Sequence, residues 1–178
     1  MANQEIPKLI IVSPCYNEEA ILRYSADILT SFLKRVIALG KIAPSSRILY
    51  VNDGSRDRTW SLIEELHKDN SFVEGLSLAK NVGSELAVMA GMMVARERAD
   101  VVVTIDADLQ DDVEAIEEMI NHYLDGCDIV YGVKTSREAD PWLKRITAEG
   151  FYRLQQNMGI NVIFNHTNFR LMSKRALE

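Results

Sequence analysis

Residues 101–112, Val-Val-Val-Thr-Ile-Asp-Ala-Asp-Leu-Gln-Asp-Asp, place four carboxylates within seven positions at the end of a β-branched hydrophobic run. The run Val101, Val102, Val103 and Ile105 reads as a strand buried on both faces, so Asp106 and Asp108 fall where it leaves the sheet. Two unit charges about 4 Å apart repel by roughly 4 kcal/mol at an effective dielectric near 20. Such a pair needs a proton, a cation or separation by solvent. A hard divalent cation answers that need, and oxygen ligands are what Mg²⁺ and Mn²⁺ prefer.

Two further polar clusters follow hydrophobic runs: Pro14-Cys15-Tyr16-Asn17-Glu18 after residues 9–12, and Asn52-Asp53-Gly54-Ser55 after residues 48–51. Stepping along the chain, strand patterns at 9–12, 48–51, 73–78, 101–105 and 128–133 alternate with helical ones. Ile21, Leu22, Ile28, Leu29, Phe32, Leu33, Val36 and Ile37 repeat at helical spacing until Gly40. Further helices are predicted around Trp60, Ile63 and Leu66, over residues 84–99, and along Val113, Ile116, Ile120 and Tyr123. This alternation predicts an α/β fold, a mostly parallel sheet with helices on both faces and right-handed crossovers. Ligands of such sheets bind at the carboxyl ends of strands, so the three clusters are expected in one crevice. Residues 134–150 lack periodicity and read as a long loop or short irregular helix that closes over a site.

The 178 residues, 47% hydrophobic, suffice for one domain spanning 1–178. No apolar run reaches eighteen residues and the start of the chain lacks a secretory core, which predicts a soluble, cytosolic polypeptide. Cys15 and Cys127 have no metal-binding spacing and imply no disulfide framework. The net charge of −6 conceals a division, −10 over residues 1–133 and +4 over residues 134–178. With no long Lys/Arg stripe, nucleic acid is excluded as the main partner. The basic part suits small phosphates or an anionic membrane surface.

Three chemistries compete for Asp106 onward. Asp106, Asp108, Gln110, Asp112, Glu114 and Glu117 fit a calcium-loop count, but a strand precedes them and Asp111 stands where the sharp turn requires Gly. The segment also resembles the Asp-x-Asp of haloacid dehalogenase-type phosphatases, although Gln110 departs from that pattern and the other clusters gain no role. The third reading uses everything. Pro14-Cys15-Tyr16-Asn17-Glu18-Glu19, Val51-Asn52-Asp53-Gly54-Ser55-Arg56-Asp57, Asn81-Val82-Gly83, Asp106-Ala107-Asp108-Leu109-Gln110-Asp111 and Asn168-Phe169-Arg170-Leu171 occur in the order seen in family 2 glycosyltransferases of the GT-A fold. The resemblance is nearest to the polyprenyl-phosphate glycosyltransferases, the group that includes dolichol-phosphate mannose synthase.

That resemblance implies roles. Asp106 and Asp108, with Gln110, would hold Mg²⁺ or Mn²⁺ on the diphosphate of a nucleotide-sugar. Pro14, Tyr16, Glu18, Val51, Asp53, Asn81 and Ala107 would contact the donor, with Asp53 accepting a hydrogen bond from the base and Tyr16 able to stack on it. Lys134, Arg137, Lys144, Arg145 and Arg170 would hold the diphosphate and the lipid phosphate, with Arg145 and Arg170 joining Asp108 at the reaction centre. Local alternatives stand beside these roles: Asn17 as the cap of a helix whose first turn holds Glu18 and Glu19, Asp53-Gly54 as a turn, and Asp111 and Asp112 as the start of a helix. Phe151, Tyr152, Leu154 and Met158 read as core packing on a helix. Two departures are informative: Asn52 stands where the family commonly has Asp, and Asn168 where many relatives have Asp before Phe-Arg-Leu. Asn cannot be a general base, which favours an acceptor that is already anionic.

The expected activity is inverting transfer of a sugar from a nucleotide-sugar, read as a UDP-sugar, to a polyprenyl phosphate at the cytoplasmic membrane face. The alternatives are a saccharide acceptor in polysaccharide synthesis and a non-catalytic nucleotide-binding module. Relatives continue into membrane helices, so membrane attachment is expected through segments beyond Glu178, and a homo-oligomer is compatible with the reading.

Overall fold

Aliphatic and β-branched runs form the centre of a three-layer α/β/α arrangement. The computed structural model describes residues 6–133 and 166–178. Five strands occupy the segments with strand patterning: β1 (Leu9–Cys15), β2 (Arg47–Asn52), β3 (Val73–Ser77), β4 (Val101–Thr104) and β5 (Ile129–Val133). Four helices alternate with them: α1 (Leu22–Ala38), α2 (Thr59–Asp69), α3 (Ser84–Arg96) and α4 (Ala115–Leu124). A sixth strand, β6 (His166–Ser173), and a last turn of helix, α5 (Lys174–Leu177), complete the described elements.

The six-stranded sheet has the order β3-β2-β1-β4-β6-β5. β1 lies between β2 and β4, parallel to both, with Val12 opposite Leu49 and Thr104. The pleat sends alternate residues to opposite layers. Leu9 and Ile11 of β1, Ile48 and Tyr50 of β2, and Val101 and Val103 of β4 pack with α1, α2 and α4. Ile10, Val12, Leu49, Val51 and Val102 face α3. Central parallel strands covered on both sides must be apolar at every position, which is why their sequences run without alternation.

The sheet is not purely parallel. β6 runs antiparallel to β4, with Leu171 opposite Val103 and Arg170 opposite Thr104, a strand absent from the five-strand expectation. Its two faces are buried unequally: Phe169, Leu171 and Ser173 are buried, while Asn168, Arg170 and Met172 are half-buried. That period of two is the usual mark of an antiparallel strand.

The chain divides into two compact units, Met1–Val130 with Asn168–Glu178, and Tyr131–Thr167. The loop reading of residues 134–150 and the helix-packing reading of Phe151, Tyr152, Leu154 and Met158 fall outside the described residues. Among the described residues, no helix is long and apolar enough to cross a membrane.

α3 approaches the sheet closely because Gly91 has no side chain. A Cβ there would stand 2.5 Å from Val12 Cγ1 and 2.7 Å from Val51 Cγ2. Gly91→Ala is therefore expected to destabilise the fold by about 1–3 kcal/mol through overpacking, despite the better helix propensity of Ala. Urea denaturation measures this, and unchanged or increased stability would refute the helix–sheet spacing argument.

Candidate active site

The loop after β1 is tied to the loop after β2 by reciprocal hydrogen bonds. Asn17, at φ 57°, donates its amide to Ser55 Oγ (3.0 Å) and accepts at Oδ1 from the Arg56 amide (2.8 Å). The Glu18 amide donates to Thr59 Oγ1 (2.8 Å) and the Glu19 amide to Asp57 Oδ2 (3.2 Å), while Glu19 Oε2 accepts from the Arg58 amide (2.9 Å). The Asp53 amide donates to the Cys15 carbonyl (2.9 Å). Burial works against ionisation of Asp57, but the Thr59 hydroxyl and the Thr59 and Glu19 amides outweigh it and hold its carboxyl below the usual range.

Asn17 is accordingly not the helix cap that local sequence allows. α1 begins at Leu22, its cap position is Ile21 without a side-chain bond, and Glu18 and Glu19 precede the helix. Asn17 instead spends its side chain across 39 residues of sequence on the neighbouring loop.

The loop after β2 continues this chain of contacts. Asn52 bonds through Nδ2 to Ser77 Oγ (2.9 Å) and accepts at Oδ1 from the Ser55 amide (3.1 Å). Asp53 accepts from the Val82 amide at Oδ1 (2.7 Å) and from the Gly83 amide at Oδ2 (2.9 Å). Gly54, at φ 63°, makes the turn read from Asp-Gly.

At the end of β4, Asp108 and Asp112 each accept from a nearby backbone amide. Asp108 is exposed and its Oδ1 accepts from the Gln110 amide (3.2 Å), while Leu109 turns the chain at φ 52°. Asp112 Oδ1 accepts from the Glu114 amide (3.0 Å) in the turn ahead of α4, whose cap position is Glu114 without a side-chain bond, so Asp112 lies in neither the cap nor the first turn expected of it.

A cavity of about 310 Å³ opens at these strand ends. It brings together eight residues anticipated from sequence: Pro14, Tyr16, Glu18, Asp53, Asn81, Asp106, Ala107 and Asp108. Cys15, Gly83 and Ser84 also line it and were not anticipated. The signal for Gly83 and Ser84 was available, because they open the helix after a third parallel strand whose carboxyl end faces the same way. Burial, with Glu18 adding to it, pushes the Cys15 thiol up, which favours its protonated form.

Val51 and Gln110 are not at the cavity. Val51 is fully buried with its side chain against Gly91, because position five of β2 points to the α3 layer. Gln110 is exposed beyond the Leu109 turn and does not line the cavity. Lys134, Arg137, Lys144 and Arg145 lie outside the described residues.

Negative charge concentrates in this cavity. Partial burial, then the charges of Asp108, Asp57 and Asp106, raise the Glu18 carboxyl above its ordinary value. The oxygen-only donor set of Asp106 and Asp108 fits a hard divalent cation. Among the described residues no three His, Cys, Asp or Glu side chains form a ready metal cage, so diphosphate oxygens and water would complete the shell.

The sequence pattern of glycosyl transferase family 2 matches residues 10–178. The chain belongs to that family. This family 2 chain is 49% identical over 175 residues to the uncharacterized glycosyltransferase YkoT of Bacillus subtilis, covering 98% of the chain and 52% of the relative. It is 36% identical over 173 residues to the bactoprenol glucosyl transferase of Shigella phage SfV, covering 96% and 53%. It thus spans about half the length of these curated relatives. Among solved structures it resembles glucosyl-3-phosphoglycerate synthase from Mycobacterium tuberculosis in complex with Mn²⁺, UDP and phosphoglyceric acid, with a TM-score of 0.60 at 17% identity over 95% of this chain and 56% of that one. The mannosyltransferase PcManGT from Pyrobaculum calidifontis, in complex with GDP-Man and Mn²⁺, aligns with a TM-score of 0.55 at 17% identity over 76% and 38%. The family 2 chain has the GT-A fold.

The raised Glu18 carboxyl has a stability consequence. A carboxyl whose folded-state value lies above its unfolded value destabilises the fold when ionised, and that penalty fades as the pH falls and the group takes up a proton. In chelator-treated protein, Glu18→Gln is expected to raise the melting temperature at pH 7, with the difference from wild type shrinking as the pH falls toward 4. A variant less stable than wild type at pH 7 would contradict the repulsion described here.

Proposed function

We propose that this chain carries the donor site and reaction centre of an inverting glycosyltransferase that moves a sugar from a nucleotide-sugar, read as a UDP-sugar, to a polyprenyl phosphate. The observation that carries the reading is the convergence of Asp106, Asp108 and Glu18 on one open cavity whose other walls include Pro14, Tyr16, Asp53 and Asn81. Tyr16, 41% exposed, offers a ring face on which a base can stack. Asp106 and Asp108 are the residues that would hold Mg²⁺ or Mn²⁺, with Gln110 reaching such a cation only if its turn rearranges. The cation's contribution is to offset the negative charge that a departing nucleoside diphosphate accumulates.

The acceptor reading draws on β6. Arg170 Nε is buried with no hydrogen-bond partner among the described residues. A buried, unsatisfied guanidinium donor is costly, and a phosphate oxygen is a partner suited to its fork. Asn168 gives its carbonyl oxygen to the Thr104 hydroxyl, and its side-chain amide has no basicity. An acceptor hydroxyl would need a base to remove its proton; a phosphate monoester is already an anion. Its oxygen attacks the anomeric carbon while the bond to the nucleoside diphosphate breaks on the opposite side, which inverts configuration. The relatives named bactoprenol glucosyl transferases support a polyprenyl phosphate as the acceptor. Lys134, Arg137 and Arg145 belong to the same proposal as phosphate-holding cations. The proposed working place is the cytoplasmic face of the membrane, in an assembly of one or several copies.

Calorimetric titration with UDP and GDP tests the donor site. Binding is expected to require Mn²⁺, to favour UDP, and to weaken at least about tenfold in Asp108→Ala, a loss of about 1.4 kcal/mol; equal binding without metal would sink the metal-diphosphate reading. For the acceptor, membranes from cells expressing the gene are incubated with labelled nucleotide-sugars. Label is expected in extractable lipid phosphate, and label found in polymer alone would replace the acceptor by a saccharide. Arg170→Ala is expected to reduce turnover by about 10²-fold while changing nucleotide affinity little.

A further inference from the structure

We infer that Asp53 is a positioning residue that fixes the cavity wall contributed by the β3–α3 loop, and thereby governs donor affinity irrespective of which base is bound. Its carboxylate is 2% exposed, and each of its oxygens takes one backbone amide, Val82 at 2.7 Å and Gly83 at 2.9 Å. These amides stand immediately ahead of α3, whose cap residue is Gly83 (φ 92°, ψ 152°). Without Asp53 the two donors would lose the acceptor that pairs them, and a carboxylate beside the start of α3 also meets the favourable end of the helix dipole. Charge-assisted bonds of this kind are the stronger sort and hold both amides in one orientation.

Independent contacts join the same two loops. A Cβ on Gly54 would lie 2.5 Å from the Asn81 nitrogen and 2.6 Å from the Lys80 carbonyl carbon, so the turn after β2 rests directly on the backbone of the β3–α3 loop. The Leu78 amide donates to the Asn52 carbonyl (2.9 Å), and Asn52 Nδ2 reaches Ser77 Oγ (2.9 Å). Asn81, Gly83 and Ser84 all line the cavity, and all three sit on the segment so held. Asp53 thus acts through the loop, whereas the role implied by family resemblance has it accept a hydrogen bond from the base itself.

The two roles separate by experiment, and the binding arm rests on the nucleotide-sugar reading above while the exchange arm does not. In ligand-free wild-type protein, amide hydrogen exchange followed by NMR is expected to show Val82 and Gly83 protected. In Asp53→Asn that protection falls while the amides of Ile11 and Val12 in β1 keep theirs, which shows an intact fold. With Mn²⁺ present, affinities for UDP, GDP and CDP are expected to drop together by about tenfold in Asp53→Asn, and Gly54→Ala to reproduce the pattern. The proposal is overturned if Val82 and Gly83 exchange freely in the wild type. It is equally overturned if Asp53→Asn weakens UDP and GDP, which offer a ring N–H, yet spares CDP, which does not. Should wild-type protein bind none of the three nucleotides, the donor reading falls and the exchange arm alone decides the clamp.

Discussion

Backbone amides captured by side chains of the adjacent loop hold the candidate site in shape. The loops after β1, β2 and β3 contain no regular structure, so their N–H groups must find partners elsewhere or lose them to water. Ser55, Asp57 and Thr59 serve the first loop, Asn17 and Glu19 answer for the second, and Asp53 serves the third. Most of these donors and acceptors are short polar side chains with little rotamer entropy to lose, which makes the lattice inexpensive to order. The carboxylates at the end of β4 then face a wall whose position the other three loops have already determined.

The arrangement also allots charge. Asp53 occupies the amides at the mouth of α3, so a place where a phosphate could otherwise sit is already filled by a carboxylate of the protein. Asp106, Asp108 and Glu18 add further negative charge across the same cavity. On the proposed reading, a diphosphate cannot enter such a site on favourable backbone dipoles alone, in contrast to folds that cradle it on glycine-rich helix starts. On that reading, phosphate binding in this cavity depends on a cation, while burial keeps the Cys15 thiol protonated.

Much of this was legible in the sequence, for identifiable reasons. β1, β2 and β4 are covered on both faces, so unbroken runs such as Val101-Val102-Val103 announce them, and the polar residues that follow each run mark the strand ends at the cavity. Local patterns failed where distant partners compete. Asn17 beside Glu18 and Glu19 looks like a helix start, but the Arg56 amide outbids the helix for its side chain. Val51 belongs to a functional motif by sequence, yet the two-residue pleat turns it toward Gly91, while Asp53 two positions later reaches the cavity from beyond the end of β2. β6 carries a weaker signal because its alternation is short and places the polar Asn168 and Arg170 on its less buried face.

β6 has a consequence for how the protein is made. It pairs with β4, although its residues follow those of β4 by about 70 positions, and the Tyr131–Thr167 unit is synthesised in between. On the ribosome, β1, β2 and β3 can associate early, but the outer edge of Val101–Thr104 stays without its neighbour until residue 173 has emerged. An unpaired hydrophobic edge is a template for wrong pairing, between nascent chains or within one. Translation speed through residues 134–173 and chaperone access during that interval thus bear on yield, independently of the stability of the finished fold.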